Sequence, residues 1–308
     1  MNVVVLTGGV GGAKLVRGLM LAMPAERITA IVNTGDDFQH LGLHVSPDID
    51  TLLYTLSGKA NKAQGWGREG ETWRFLEAAR SLGAPDWFQL GDGDLALHVL
   101  RSARLAAGDK LSAVIADFAA AWGIGVRILP MSNQPISTII DTDEGVLEFQ
   151  RYFVERRCAP RAFGIRFRGV QDAEPAPGVL QAIAAADAIL VAPSNPYLSI
   201  DPILATPALA PALRAAAAPV IAVSPIIGGK AVKGPTAKLM QEFGAPVNNA
   251  SIAQHYGGLL NGMLIDEGDP APPGDLMIER TRTLMKSDSD RRRVAEAALK
   301  VAVRLGRT

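Results

Sequence analysis

The chain has 308 residues, with 31 Lys plus Arg against 31 Asp plus Glu, so its formal net charge is 0. At roughly 100–200 residues per domain that length allows one large domain or two modest ones. A mixture of 48% hydrophobic and 20% charged residues excludes wholesale disorder, and neutrality removes the electrostatic footprint of a nucleic-acid or anionic-membrane binder. The single cysteine, Cys158, excludes an intramolecular disulfide and a cysteine metal cluster, and fits a reducing cytoplasm. No apolar run approaches ~18 residues, so no transmembrane helix is expected. The short apolar run before the glycines, with no basic flank, reads as a buried strand rather than a signal peptide.

The predicted elements begin with that strand, Val3–Leu6, followed at once by the glycine loop Gly8–Gly12. From Ala13 the pattern turns helical, with Leu15, Val16, Leu19, Met20 and Met23 on one face and Pro24 as the stop. A strand over 29–32 completes a right-handed parallel βαβ unit. A helix follows Pro47, with Asp48 as its N-cap, and then a polar loop over 58–70. Helices are expected over 72–82, 94–107 and 111–122, and strands over 127–129, 136–141, 146–149 and 165–169. The βα rhythm resumes at Gly178, with strands over 188–192, 220–224 and 263–265 and a last amphipathic helix over 290–305. The fold class is therefore α/β: a Rossmann-like, mostly parallel sheet with a largely helical insertion. The expected division is a core from 1–57 and 166–308, with an inserted helical and β subdomain over 58–165.

Several clusters carry chemistry. Thr7-Gly8-Gly9-Val10-Gly11-Gly12-Ala13-Lys14 places backbone N–H groups and a helix N-terminus at a strand end, a setting for an anion. The same glycines also suit a tight turn that packs helix on sheet. Leu15 stands where a Walker A loop has Ser or Thr, and Lys14 where a dinucleotide fingerprint beginning at Gly9 needs Gly or Ala. Asp36, Asp37, Asp48 and Asp50 lie within fifteen residues at a strand end and a helix start. A pair such as Asp36 and Asp50 can hold Mg²⁺ together with substrate phosphates, while capping and turns are the alternative use. Asp94, His98 and Arg101 share one helical face after Gly93. Met131-Ser132-Asn133-Gln134 is a polar loop between strands. Ser194 and Asn195, then Ser224 to Gly228, follow two further parallel strands at the ligand-binding edge. The residues alone point to a Rossmann-like enzyme or sensor for a phosphorylated, nucleotide-like ligand.

Taken in order over about residues 1–240, these motifs resemble the 2-phospho-L-lactate transferase family of coenzyme F420 biosynthesis. The matching stretches are residues 7–14, 32–37, 41–51, 91–94 with His98 and Arg101, 129–132, 149–158, 192–196 with 199–203, and 224–229 with 234–238. The resemblance implies an Mg²⁺-dependent transferase that moves a phospholactyl or phosphoenolpyruvyl group from a diphospho-guanosine donor to the deazaflavin Fo. GMP would leave, and coenzyme F420-0 or its dehydro form would be made. It implies Asp36 and Asp50 as catalytic and metal-binding residues. Gly9, Gly11, Gly12, Lys14, Ser194, Asn195, Ser224 and Gly228 would hold the donor; Asp50, Gly93, Asp94, His98, Met131 and Ser132 would hold Fo. It also implies a homodimer in the cytoplasm. Two departures stand out: Gly93 where the family pattern usually has Arg, and Asn133 and Gln134 where it commonly has acidic residues. The alternative in the same superfamily is a non-enzymatic regulator that binds UDP-sugars.

Overall fold

The computed structural model of the protein describes residues 1–61 and 63–306. Lys62, inside the expected polar loop, and Arg307 and Thr308, at the end of the expected core, lie outside that description.

Strand β1 (Val3–Thr7) is buried along its whole length, as an apolar run covered on both faces should be. Val3 and Val5 pack into one core layer with Leu15, Leu19, Ile49 and Val294. Val4 and Leu6 point the other way, toward Val179, Leu209 and Ile252. The strands that join it are β2 (Ile28–Val32), β3 (Arg127–Pro130), β4 (Ala188–Val191), β5 (Val220–Val223), β6 (Gly262–Ile265) and β7 (Met277–Arg280). Their spatial order is β7-β6-β5-β4-β1-β2-β3, with every pair parallel. The chain runs outward from β1 through β2 to β3, then crosses to β4 on the other side of β1. That reversal opens a crevice beyond the carboxyl ends of β1 and β4, where open α/β sheets take their ligands.

The main helices are α1 (Gly9–Ala22), α2 (Pro47–Leu56), α3 (Asp92–Ala106), α4 (Leu111–Ala121) and α5 (Asp288–Leu305). Helix α1 starts four residues earlier than its periodicity predicts, at Gly9 rather than Ala13, with Gly8 as N-cap. Glycine disfavours a helix interior by about 1 kcal/mol, which is why the sequence reads as a loop. Close packing overrides that preference: a side chain at Gly11 would strike the carbonyl of Pro193, and one at Gly12 the hydroxyl of Thr7. Helix α5 begins with a capping box, in which the Ser287 hydroxyl accepts from Asp290 N and the Asp290 carboxylate accepts from Ser287 N.

Two further differences concern strands. Met277–Arg280 is not visible as a strand in the sequence, because four residues after a Pro/Gly-rich stretch give no usable period; pairing with β6 makes it one. Strand β3 comes from within the expected insertion yet pairs with β2, so the segment 58–165 is partly woven into the main sheet. The same segment holds the strands Ser137–Thr142 and Gly145–Glu148. With Ala162–Arg168 these form a separate three-stranded antiparallel sheet.

Candidate functional site

The crevice at the β1/β4 reversal opens into a cavity of about 830 Å³. Its inner end is lined by Gly8, Gly9, Gly11 and Lys14 of α1, by Pro193, Ser194 and Asn195 after β4, and by Ser224 and Pro225 after β5. The Ser194 hydroxyl donates to the Gly8 carbonyl (2.7 Å) and accepts from Gly8 N (3.2 Å), which pins the two strand ends together. Asn195 Oδ1 accepts from Tyr197 N and Leu198 N, while its amide nitrogen is buried with no partner. Lys14 is half-buried, and burial, followed by the nearby charges of Lys233 and Arg291, lowers its pKa. A phosphate here would relieve that crowding, since cations and a helix N-terminus both favour an anion.

The middle of the cavity is acidic. Asp48, expected as an N-cap, instead reaches across: its carboxylate accepts from Gly9 N (2.6 Å) and from Asn33 Nδ2 (2.9 Å). Burial pushes its pKa up to about 6 against those hydrogen bonds. Asp36 is buried, with Oδ1 unpartnered. Burial first, and then the charge of Asp48, raise its pKa well above the ordinary carboxylate value. Asp50 is also buried, but both its oxygens are engaged by the fully buried guanidinium of Arg101. His98 lies between Asp50 (3.7 Å) and Asp94 (3.2 Å), and Tyr54 donates its hydroxyl to Asp94. Burial works against charge on Asp94, and His98 and Tyr54 outweigh it, so its pKa falls. The helical spacing of Asp94, His98 and Arg101 thus brings His98 and Arg101 to Asp50, with Asp94 on the far side of His98.

The cavity also has an aromatic wall. Trp87, Phe88, Phe149 and Phe153 line it, as does Trp66, whose neighbour Gly65 accepts from Lys233 Nζ (3.1 Å). Phe149 and Phe153 stack at 5.3 Å, Trp87 and Phe88 meet at 5.7 Å, and Arg151 lies 4.3 Å over the Trp87 ring. The Trp87 indole nitrogen is buried and has no partner. The sequence gives little signal for this wall, since its rings come from three separate segments.

Not every residue named from the sequence lines the cavity. Asp36, Asp50, Asp94, His98, Gly9, Gly11, Lys14, Ser194, Asn195 and Ser224 do. Gly12 packs on Thr7 and Ser194. Gly228 turns its N–H to Asp269 (2.8 Å), and Asp269 also faces Asn249, whose side-chain oxygen accepts from the Ser224 hydroxyl (2.6 Å). Asp269 and Asn249 therefore hold the loop after β5, and neither stands out in the sequence. Met131 and Ser132 are fully buried beneath the sheet edge, and the Ser132 hydroxyl donates to Gln134. Gly93 faces Arg68 and Glu71, and the Arg68 guanidinium fills the space that a side chain at position 93 would need.

Among the described residues, no group of three or more His, Cys, Asp or Glu side chains is placed to cage a metal ion. The set fits the other way of holding Mg²⁺, in which one or two carboxylates act with substrate phosphates. The unpartnered Oδ1 of Asp36 is the carboxylate oxygen open to such a role, whereas both oxygens of Asp50 are engaged by Arg101. Among the described residues, no helix is long and apolar enough to cross a membrane.

A doubly wound parallel sheet with its cavity at the strand-order reversal defines a Rossmann-like α/β protein. Residues 3–304 match the family model described as 2-phospho-L-lactate transferase CofD, and the chain belongs to that family of transferases in F420 biosynthesis. It is 46% identical over 275 residues to a phosphoenolpyruvate transferase of Streptomyces griseus, covering 87% of this chain and 86% of that one. To the Thermobifida fusca protein of the same name it is 42% identical over 320 residues, covering 99% of each. Among solved structures, a UPF0052-family protein of Bacillus halodurans aligns with TM-score 0.64 at 19% identity over 97% of this chain and 99% of that chain, a likeness of fold.

Proposed function

We propose that this protein transfers a phosphoenolpyruvyl or phospholactyl group from a diphospho-guanosine donor to the terminal hydroxyl of the deazaflavin Fo. GMP leaves, and dehydro-F420-0 or F420-0 forms. The names of the relatives at 42–46% identity favour the enolpyruvyl group. The observation that carries the reading is the chemistry brought together in one cavity: a cationic helix N-terminus, buried carboxylates and a wall of aromatic rings.

Phosphoryl transfer needs alignment and charge neutralisation more than covalent help. The α1 N-terminus, Lys14, Ser194 and Asn195 would take the guanylyl diphosphate. The aromatic wall would take the flat deazaflavin ring, which brings its hydroxyl toward the acidic centre. Asp50, oriented by Arg101, would accept or direct the proton of the attacking hydroxyl. Asp36 would hold Mg²⁺, with Asp50 beside it, and the ion when bound would neutralise the diphosphate and the GMP leaving group.

Incubation with Fo, Mg²⁺ and each donor in turn, followed by mass spectrometry, tests the proposal. GMP and an F420-0-type product with one donor support it and name the acid. Absence of product, with UDP-sugar bound instead, contradicts it.

A further inference from the structure

Two hairpins from distant parts of the chain both line the large cavity. One has the arms Lys59–Asn61 and Gly67–Glu69, joined by bonds from Glu69 N to the Lys59 carbonyl (2.7 Å) and from Asn61 N to the Gly67 carbonyl (3.0 Å). Its root is tied to α2, where Lys59 N and Ala60 N both donate to the Tyr54 carbonyl (2.8 and 3.0 Å). Its tip carries Gly65 and Trp66. Trp66 is 50% exposed, so core packing does not hold the tip. The other hairpin pairs Ile226–Ile227 with Lys230–Ala231 after β5 and runs on into Val232, Lys233 and Gly234.

Lys233 joins the two by donating from Nζ to the Gly65 carbonyl (3.1 Å). The contact depends on glycine. A side chain at Gly65 would come within 2.8 Å of Lys233 Nζ, and the φ of +71° there is left-handed. An ammonium has three N–H donors, and the Gly65 carbonyl takes one of them. Among the described residues, Lys233 has that carbonyl as its partner and no carboxylate. Its charge also reaches Lys14, whose pKa it lowers second only to burial. One ammonium therefore touches the aromatic hairpin and lies within electrostatic reach of the helix end proposed for the donor's phosphates.

We propose that Lys233 is a positioning residue that couples the two ends of the reaction. A phosphate at Lys14 takes the free N–H donors of Lys233, and Lys233, so held, fixes the hairpin tip and Trp66 at the cavity. The phosphate supplies the counter-charge that Lys233 lacks, in a charge-assisted bond stronger than a neutral one. The inference rests on the proposed donor site and adds an order to it: donor first, then Fo, because the first ligand completes the wall that meets the ring. By linkage each ligand then tightens the binding of the other.

Hydrogen exchange of the full chain with and without saturating GDP and Mg²⁺ tests it, read at the amides of residues 63–69, with GDP binding measured in parallel by calorimetry. GDP should slow exchange there about 5-fold or more in the wild type and leave it unchanged in Lys233→Met. Lys233 is exposed, so the variant keeps the fold. GDP bound with exchange at 63–69 unaltered, or slowed equally in Lys233→Met, overturns the coupling and leaves the donor site standing. No binding of GDP to the wild type overturns the donor site, and the coupling with it.

Discussion

The inner end of the large cavity is made by the edge of the sheet, whereas its aromatic wall is assembled from loops and a short helical turn of the segment 58–165. At the inner end, Gly8, Ser194 and Ser224 sit one to three residues beyond strands that are buried throughout. Their positions follow from strand register, and hydrogen bonds such as Ser194 to Gly8 lock them. At the aromatic wall, Trp87 and Phe153 hold position by packing on other rings, and Trp66 is half exposed on its loop. The inner end is thus preorganised for a ligand of fixed charge, and the aromatic wall is adjustable to a flat one. Between them, Asp50 and Arg101 form the hinge of the arrangement.

The largest expected effect comes from that hinge. Arg101→Leu leaves a buried Asp50 without its partner, and unfolding by denaturant should show a loss of about 3–5 kcal/mol. Removing both charges together should cost less than the single change. A next test asks whether the hinge is chemical as well as structural. Asp50→Asn should lower turnover at least ~10²-fold beyond any loss of folded protein, since it also leaves the buried Arg101 charge uncompensated; near-normal turnover per folded molecule would return Asp50 to a purely structural role.

Asp48 tests the cost of preorganising the inner end. Its pKa in the folded protein, about 6, lies above its ordinary 3.8, a difference of about 2, which corresponds to about 3 kcal/mol. The folded state therefore holds this proton more tightly than the unfolded chain, and stability is lost as pH rises from about 4 through 6. Asp48→Asn should accordingly show its most favourable change in melting temperature at pH 8, offset by about 1–3 kcal/mol because its single side-chain oxygen can accept from only one of Gly9 N and Asn33 Nδ2. The change should grow less favourable as pH falls below 6. A change independent of pH would contradict burial of the charge as its cause.

The smallest effect belongs to the aromatic end. Stacking of a flat ring on an aromatic side chain is worth about 1–3 kcal/mol, so Trp87→Ala should raise the KM for Fo about 10-fold and leave the KM for the donor unchanged. Equal changes in both would erase the distinction between the two ends.

This contrast also explains what the sequence could tell. The strands of the sheet announce themselves as apolar runs bounded by glycine or proline, and the ligand edge follows from parallel topology. The shared face of Asp94, His98 and Arg101 is legible from spacing, although Asp50 as the partner of His98 and Arg101 is not. Helix α1 was hidden in its first turn by glycines that exist for close packing. Asp48 looks like a cap because nothing local reveals that Gly9 and Asn33 converge on it. Asp269 and the ring wall are tertiary products, brought in by chain segments far apart in sequence.

The most direct test is a crystal structure with GMP, Mg²⁺ and Fo bound together. The account predicts the guanylyl phosphate at Gly9–Gly11 and Lys14, the deazaflavin ring against Trp87 and Phe153, and the terminal hydroxyl of Fo within about 3 Å of the Asp36–Asp50 centre. Fo bound with that hydroxyl turned away from the phosphate, or GMP seated on the aromatic wall, would contradict it.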